Sequence, residues 1–208
     1  MTRIKICGIT NIEDARAAVE CGAHALGFVF APSPRQIAPE AAREIVRALP
    51  PFVAAVAVVM DEPIDELRAM LRTSSCHHVQ LHGEEAPAYL GELGGWRIIK
   101  AFRVGQAADL ERLADYRRAD AFLLDSQVAG KAGGTGVTFD WGLARAAAGA
   151  GKPIILAGGL NPGNVKEALE AARPYAVDVS SGVEAGPGKK DHGLMREFIR
   201  AVREFDAS

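Results

Sequence analysis

A chain of 208 residues with 49% apolar and 24% charged side chains can bury a full core as one globular domain, which excludes intrinsic disorder. Its net charge of -2 and isoelectric point near 6.2 lack the basic excess that draws proteins to nucleic acid, so an anionic ligand has to be held by local geometry. No window reaches the ~18 apolar residues of a membrane span, MTRIKICGIT turns to glycine before a signal-peptide core, and Cys7, Cys21 and Cys76 have no paired spacing; we expect a cytoplasmic protein with no membrane contact and no disulfide framework.

The chain repeats one rhythm: a short apolar run, a turn rich in Gly, Asn, Pro or Ser, then a segment of helical period. Strands are predicted near 3–7, 24–30, 52–60, 77–82, 96–102, 120–125, 152–157 and 175–180. Helices are predicted near 11–21, 39–49, 63–73, 84–93, 106–117, 139–149, 161–172 and 191–204. Strands that alternate with helices form a parallel sheet. Eight such units leave nothing for a second domain, so residues 1–208 are expected to form a single-domain (β/α)8 TIM barrel, near the short limit for that fold. Asn11, Asn161-Pro162 and Asp191 mark the starts of the first, seventh and eighth helices. The Gly-rich connections 126–138 and 181–190 exceed a tight turn and belong on the catalytic face. The outer helices carry no pattern that separates a monomer from a homodimer.

Strand one, RIKIC, puts Cys7 at its carboxyl end on the face shared with Lys5, with Ile4 and Ile6 on the other. A nearby ammonium or enclosing backbone dipoles would favour the thiolate and make Cys7 a usable base, against the ordinary role of a buried thiol as packing. Cys21 and Cys76 take the packing role. Arg35, in APSPR, is the basic residue just behind strand two, and a guanidinium fork suits a carboxylate. Cys76, His77, His78 and His82 suggest a metal cluster, but neighbours in a strand point to opposite faces, so no metal site is expected. His82, in VQLHGEE, reads as a polar group at the mouth that meets substrate, His24 as structural at the bottom, and His192 as surface. Lys100 is offered to the mouth after strand five. Asp125 closes strand six, AFLLD, above Leu123 and Ala121; that apolar floor would keep the carboxyl protonated and fit it as a general acid. The alternative is a carboxylate capping the next loop. Three Gly-rich segments bring backbone N–H groups towards an anion: GGTG with Gly134 and Thr135, AGGL with Gly158 and Gly159, and SSGVE with Ser180, Ser181 and Gly182. Barrels bind phosphate with the loops after strands seven and eight, so a phosphate-bearing ligand is expected. Asp178, sharing a face with Ser180, would bond sugar hydroxyls. Lys189 and Lys190 are expected in a solvated turn.

KICGIT at 5–10, GFVFAPSPR at 27–35, VQLHG at 79–83, LLDS at 123–126, GGTG with FDW at 133–141, LAGGLNPGNV at 156–165 and DVSSGVE at 178–184 together resemble the phosphoribosylanthranilate isomerase family, over essentially the whole length. That resemblance implies an Amadori rearrangement in tryptophan biosynthesis without metal or organic cofactor. It implies Asp125 as general acid, Cys7 as general base, Arg35 on the anthranilate carboxylate, and the backbone of Gly158, Gly159 and Ser180 to Gly182 on the phosphate. Opening a furanosylamine ring and removing the C2 proton needs one acid and one base, which the residues supply independently. The rivals are another phosphosugar barrel such as indole-glycerol-phosphate synthase, which uses Lys and Glu at several strand ends, and a non-catalytic metal- or redox-responsive module built on Cys7, Cys76 and the histidines.

Overall fold

A computed structural model describes residues 1–126 and 141–208. Gly134 and Thr135 lie outside the described residues. Eight parallel strands close into one barrel in sequence order: β1 (Arg3–Cys7), β2 (Ala25–Val29), β3 (Ala54–Val59), β4 (His78–Leu81), β5 (Arg97–Val104), β6 (Ala121–Ser126), β7 (Ile154–Leu156) and β8 (Ala176–Val179), with β1 pairing both β2 and β8. Strands buried on both faces need apolar residues at nearly every position. Their outward side chains, among them Ile4, Ile6, Leu26, Phe28, Phe122 and Leu124, join the core beneath the helices. Their inward side chains, Val56, Ile99, Ala101, Leu123 and Ile155, fill the barrel.

The outer layer holds α1 (Ile12–Cys21), α2 (Pro39–Arg47), α3 (Ile64–Ser74), α4 (Trp141–Ala147), α5 (Val165–Ala172) and α6 (His192–Ala207). Asn11 and Asp191 cap α1 and α6 as expected, accepting from the Asp14 and Leu194 amides at 2.8 and 2.9 Å. Asn161-Pro162 does not open α5: the Asn161 side chain accepts from the Gly163 amide at 2.8 Å in a preceding turn, and the helix begins at Val165. The expected helices after β4 and β5 are instead 3₁₀ segments, Pro87–Glu92 and Ala107–Asp115. Their apolar anchors explain it. Leu90 and Leu93, then Leu110, Leu113 and Tyr116, recur every third residue, which puts them on one face at three residues per turn. No described helix is long and apolar enough to cross a membrane.

The connection after β8 is more than a loop. It makes a short 3₁₀ turn, Ser181–Val183, and an antiparallel pair, β9 (Glu184–Gly186) and β10 (Lys189–Lys190), in which Lys190 stands opposite Glu184. Lys190 is therefore buried rather than solvated. Lys100 also departs from expectation. Ile99 and Ala101 face the barrel interior, so Lys100 points outward, where its ammonium pairs with buried Glu85 at 2.8 Å and donates to the carbonyls of Leu81 and Gly83 at 3.2 and 2.6 Å.

Candidate active site

At the carboxyl ends of the strands lies a cavity of about 400 Å³. Every described candidate except Gly182 lines it: Cys7, Arg35, His82, Asp125, Gly158, Gly159, Asp178, Ser180 and Ser181. Strand alternation is what brings them there. Cys7 is two residues above Lys5 on the inner face of β1, Asp125 two above Leu123 on β6, and Asp178 faces in from β8 beside Lys5. Gly182 sits behind this surface, packed against the Leu160 carbonyl.

The Lys5 ammonium, buried in the barrel, donates to Asp178 Oδ1 at 2.9 Å. Burial disfavours that charge, but Asp178 and Cys7 outweigh it and hold the lysine above its ordinary pKa. Lys5, the nearby ammonium, does lower the Cys7 thiol, yet it does not set the outcome. Burial pushes the thiol up and Asp178 adds to that, against the lowering by Lys5 and Lys190; the net shift is upward. The expected thiolate bias is thus corrected: the free site holds Cys7 as a thiol. Asp178 is committed to Lys5 rather than free for a sugar. Cys76 is buried behind β4 with its pKa pushed up to about 11 by desolvation, which fits its packing role.

Asp125 is 31% exposed at its side chain, so its apolar floor desolvates it only partly. Its Oδ2 lies 3.3 Å from His82 Nε2, and His82 Nδ1 lies 2.8 Å from the Gln80 amide nitrogen. An amide nitrogen only donates, so Nδ1 accepts and the ring proton sits on Nε2, the nitrogen nearer Asp125. His24 at the other end of the barrel is structural: Nδ1 accepts from the Ile4 amide at 3.0 Å and Nε2 meets Arg203. His192 is half exposed and bonds Asp14 at 2.8 Å. Among the described residues no group of three or more His, Cys, Asp or Glu side chains could hold a metal ion.

After β7, Gly158 and Gly159 both take positive φ, +88° and +65°, a backbone that glycine adopts without strain. Arg35 is not free. Its Nε and Nη2 donate to the two carboxylate oxygens of Glu184 at 2.8 and 2.7 Å, and Lys190 donates to the same carboxylate at 2.7 Å. Burial raises Glu184, but these bonds win and hold it below the usual carboxylate range. Sequence reasoning missed Glu184, Gln80 and the apolar wall that includes Pro32, Val58 and Met60. Alternation along β3 would have found Met60, since Val56 and Val58 face inward below it.

A closed (β/α)8 barrel with a thiol, a carboxylate and glycine-rich turns around one carboxyl-end cavity defines a TIM-barrel enzyme. The chain belongs to the N-(5'-phosphoribosyl)anthranilate isomerase family, whose model matches residues 4–201, which makes it an isomerase of tryptophan biosynthesis. The isomerase of Moorella thermoacetica is 52% identical over 206 residues, covering 99% of this chain and 92% of that protein. The crystal structure of the Thermotoga maritima enzyme superposes with a TM-score of 0.92 at 46% identity, covering 98% of this chain and all of that one. A further structure of the family, in complex with reduced 1-(o-carboxyphenylamino)-1-deoxyribulose 5-phosphate, superposes at 0.89 and 44% identity, covering 98% of this chain and all of that one.

Proposed function

We propose that the cavity converts N-(5-phosphoribosyl)anthranilate to 1-(2-carboxyphenylamino)-1-deoxyribulose 5-phosphate, with Asp125 as general acid and Cys7 as general base. The observation that carries this reading is the placement of a carboxyl group and a thiol on one cavity wall system together with Arg35 and the Gly158-Gly159 turn. Asp125 gives its proton to the furanose oxygen, the C1–O bond breaks, and an iminium forms. His82 Nε2 stands near the carboxylate left on Asp125, an electrostatic contact that strengthens as the charge develops. The iminium acidifies C2–H and places positive charge beside Cys7, which favours the thiolate that burial opposes in the free site. Cys7 takes the C2 proton, and the resulting enolamine ketonises by protonation at C1.

Arg35 meets the anthranilate carboxylate, the Gly158-Gly159 turn and the Ser180 and Ser181 backbone meet the phosphate, and the apolar wall at Pro32 and Met60 meets the aromatic ring. Family membership and the ligand in the solved relative support this reading over indole-glycerol-phosphate synthase, and Lys100, pointing out of the barrel, is not available for that chemistry. The test is incubation of the protein with freshly made phosphoribosylanthranilate while its anthranilate fluorescence is followed; no acceleration over spontaneous breakdown would overturn the proposal.

A homodimer is the oligomer this reading takes, since one solved relative, from Thermotoga maritima, is described as dimeric. At the amino-terminal end of the barrel, Phe52 is 95% exposed beside an apolar cavity of about 590 Å³, and a second copy is its proposed occupant.

A further inference from the structure

Glu184 has no role in the reaction as described, yet it is the most elaborately held carboxylate of the site. It stands on β9, 149 residues from Arg35 in the chain, and receives both Nε and Nη2 of that guanidinium. Its other cation, Lys190, is opposite it on β10, wholly buried, and also donates to the Ser180 carbonyl at 3.2 Å. The pair of strands is itself pinned, because the Lys190 amide donates to Asp14 Oδ2 at 2.9 Å at the start of α1.

A guanidinium offers two forks, one along Nε and Nη2 and one across Nη1 and Nη2. Glu184 occupies the first, and no described residue takes Nη1. The second fork is left for a carboxylate that enters the cavity. Charge agrees with this. Arg35, Lys190 and Glu184 carry one net positive charge between them, which a single monoanion neutralises. Holding the long Arg35 side chain before the ligand arrives removes rotamer entropy that binding would otherwise cost.

Resting on the proposed reaction, we infer that Glu184 is a positioning residue that fixes Arg35 by its Nε side and thereby sets the preference for substrates with a carboxylate ortho to the amine. Glu184 stays on Arg35 throughout binding, and the ligand adds to the pair without displacing it.

Glu184→Asp keeps the charge but withdraws the carboxylate by one methylene, which breaks the two-point hold. For phosphoribosylanthranilate, KM is expected to rise about tenfold, the loss of roughly one charged hydrogen bond, with kcat within about twofold of wild type. Binding of 1-anilino-1-deoxyribulose 5-phosphate, which lacks the carboxylate, is expected to be the same in both proteins. Equal weakening of both ligands, or of neither, would overturn the inference. A second measurement uses the wild-type protein, so it does not depend on how the variant folds. The Arg35 Nε–H resonance, assigned by its loss in Arg35→Lys, is expected to persist when reduced 1-(o-carboxyphenylamino)-1-deoxyribulose 5-phosphate is added. Its collapse into solvent exchange on binding would mean that Glu184 is displaced and the inference wrong. Wild type that leaves phosphoribosylanthranilate untouched would defeat the proposed reaction instead, so the two failures are separable.

Discussion

Cys7 and Asp125 were both legible as strand-end residues, because a period of two and a count of eight strands suffice to put them at the mouth. The protonation of Cys7 was not, because it depends on partners far away in the chain. Asp178, 173 residues from Lys5, takes the ammonium that strand one places beneath the thiol. Asp178→Asn removes a charge that raises the thiol and frees Lys5, which lowers it, so the Cys7 pKa is expected to move down. The pH midpoint of iodoacetamide alkylation of Cys7 reads that shift directly; a midpoint that stays or climbs would show that Lys5 is not the governing cation. Asp125→Asn keeps the shape and loses the transferable proton. Its kcat is expected to fall by about 10² or more, the range for a general acid, with little change in product affinity. Stopped-flow fluorescence separates the two quantities.

Among the elements, the strands were readable since parallel strands buried on both faces leave long apolar runs, as in AAVAVV and AFLLDS. The 3₁₀ segments were readable only through the spacing of three between Leu110, Leu113 and Tyr116, which a search for helical period passes over. The pair β9–β10 left no such trace. It is short and polar, and its burial rests on Arg35, Asp14 and Lys190 rather than on apolar residues. The turn after β4 has a similar polar keystone in Lys100, whose ammonium holds the carbonyls of Leu81 and Gly83, the two neighbours of His82. Glu85 in turn accepts from the Asp61 and Gly83 amides at 3.0 and 3.1 Å. Lys100→Met leaves Glu85 buried without its cation, which is expected to cost about 3–5 kcal/mol. Denaturant unfolding would measure it. Because the same ammonium sets where His82 stands, kcat is expected to drop in the folded fraction too.

At the scale of the whole molecule, the two ends of the barrel are unequal, and the inner side chains say why. Larger inward residues, Val56, Ile99, Leu123 and Ile155, close the middle, while Ala25, Ala54, Ala121 and Ala176 near the amino-terminal end are too small to fill it. What remains is the cavity of about 590 Å³, with Phe52 at 95% and Tyr175 at 55% exposure beside it. An aromatic ring left in water next to an unfilled apolar hollow on the same face is self-complementary: under twofold symmetry each ring can enter the partner's hollow. Burying one Phe side chain is worth about 1.5–3 kcal/mol, and a symmetric pair counts it twice. Phe52→Asp places two carboxylates in those hollows instead. Sedimentation equilibrium is expected to show a dimer for the wild type and a monomer for the variant, with the far-ultraviolet spectrum unchanged because the Phe52 ring is exposed rather than packed in its own core. The variant should also keep its kcat, since Phe52 lies at the opposite end of the strands from Cys7 and Asp125. A variant that stays dimeric would move the interface off this face.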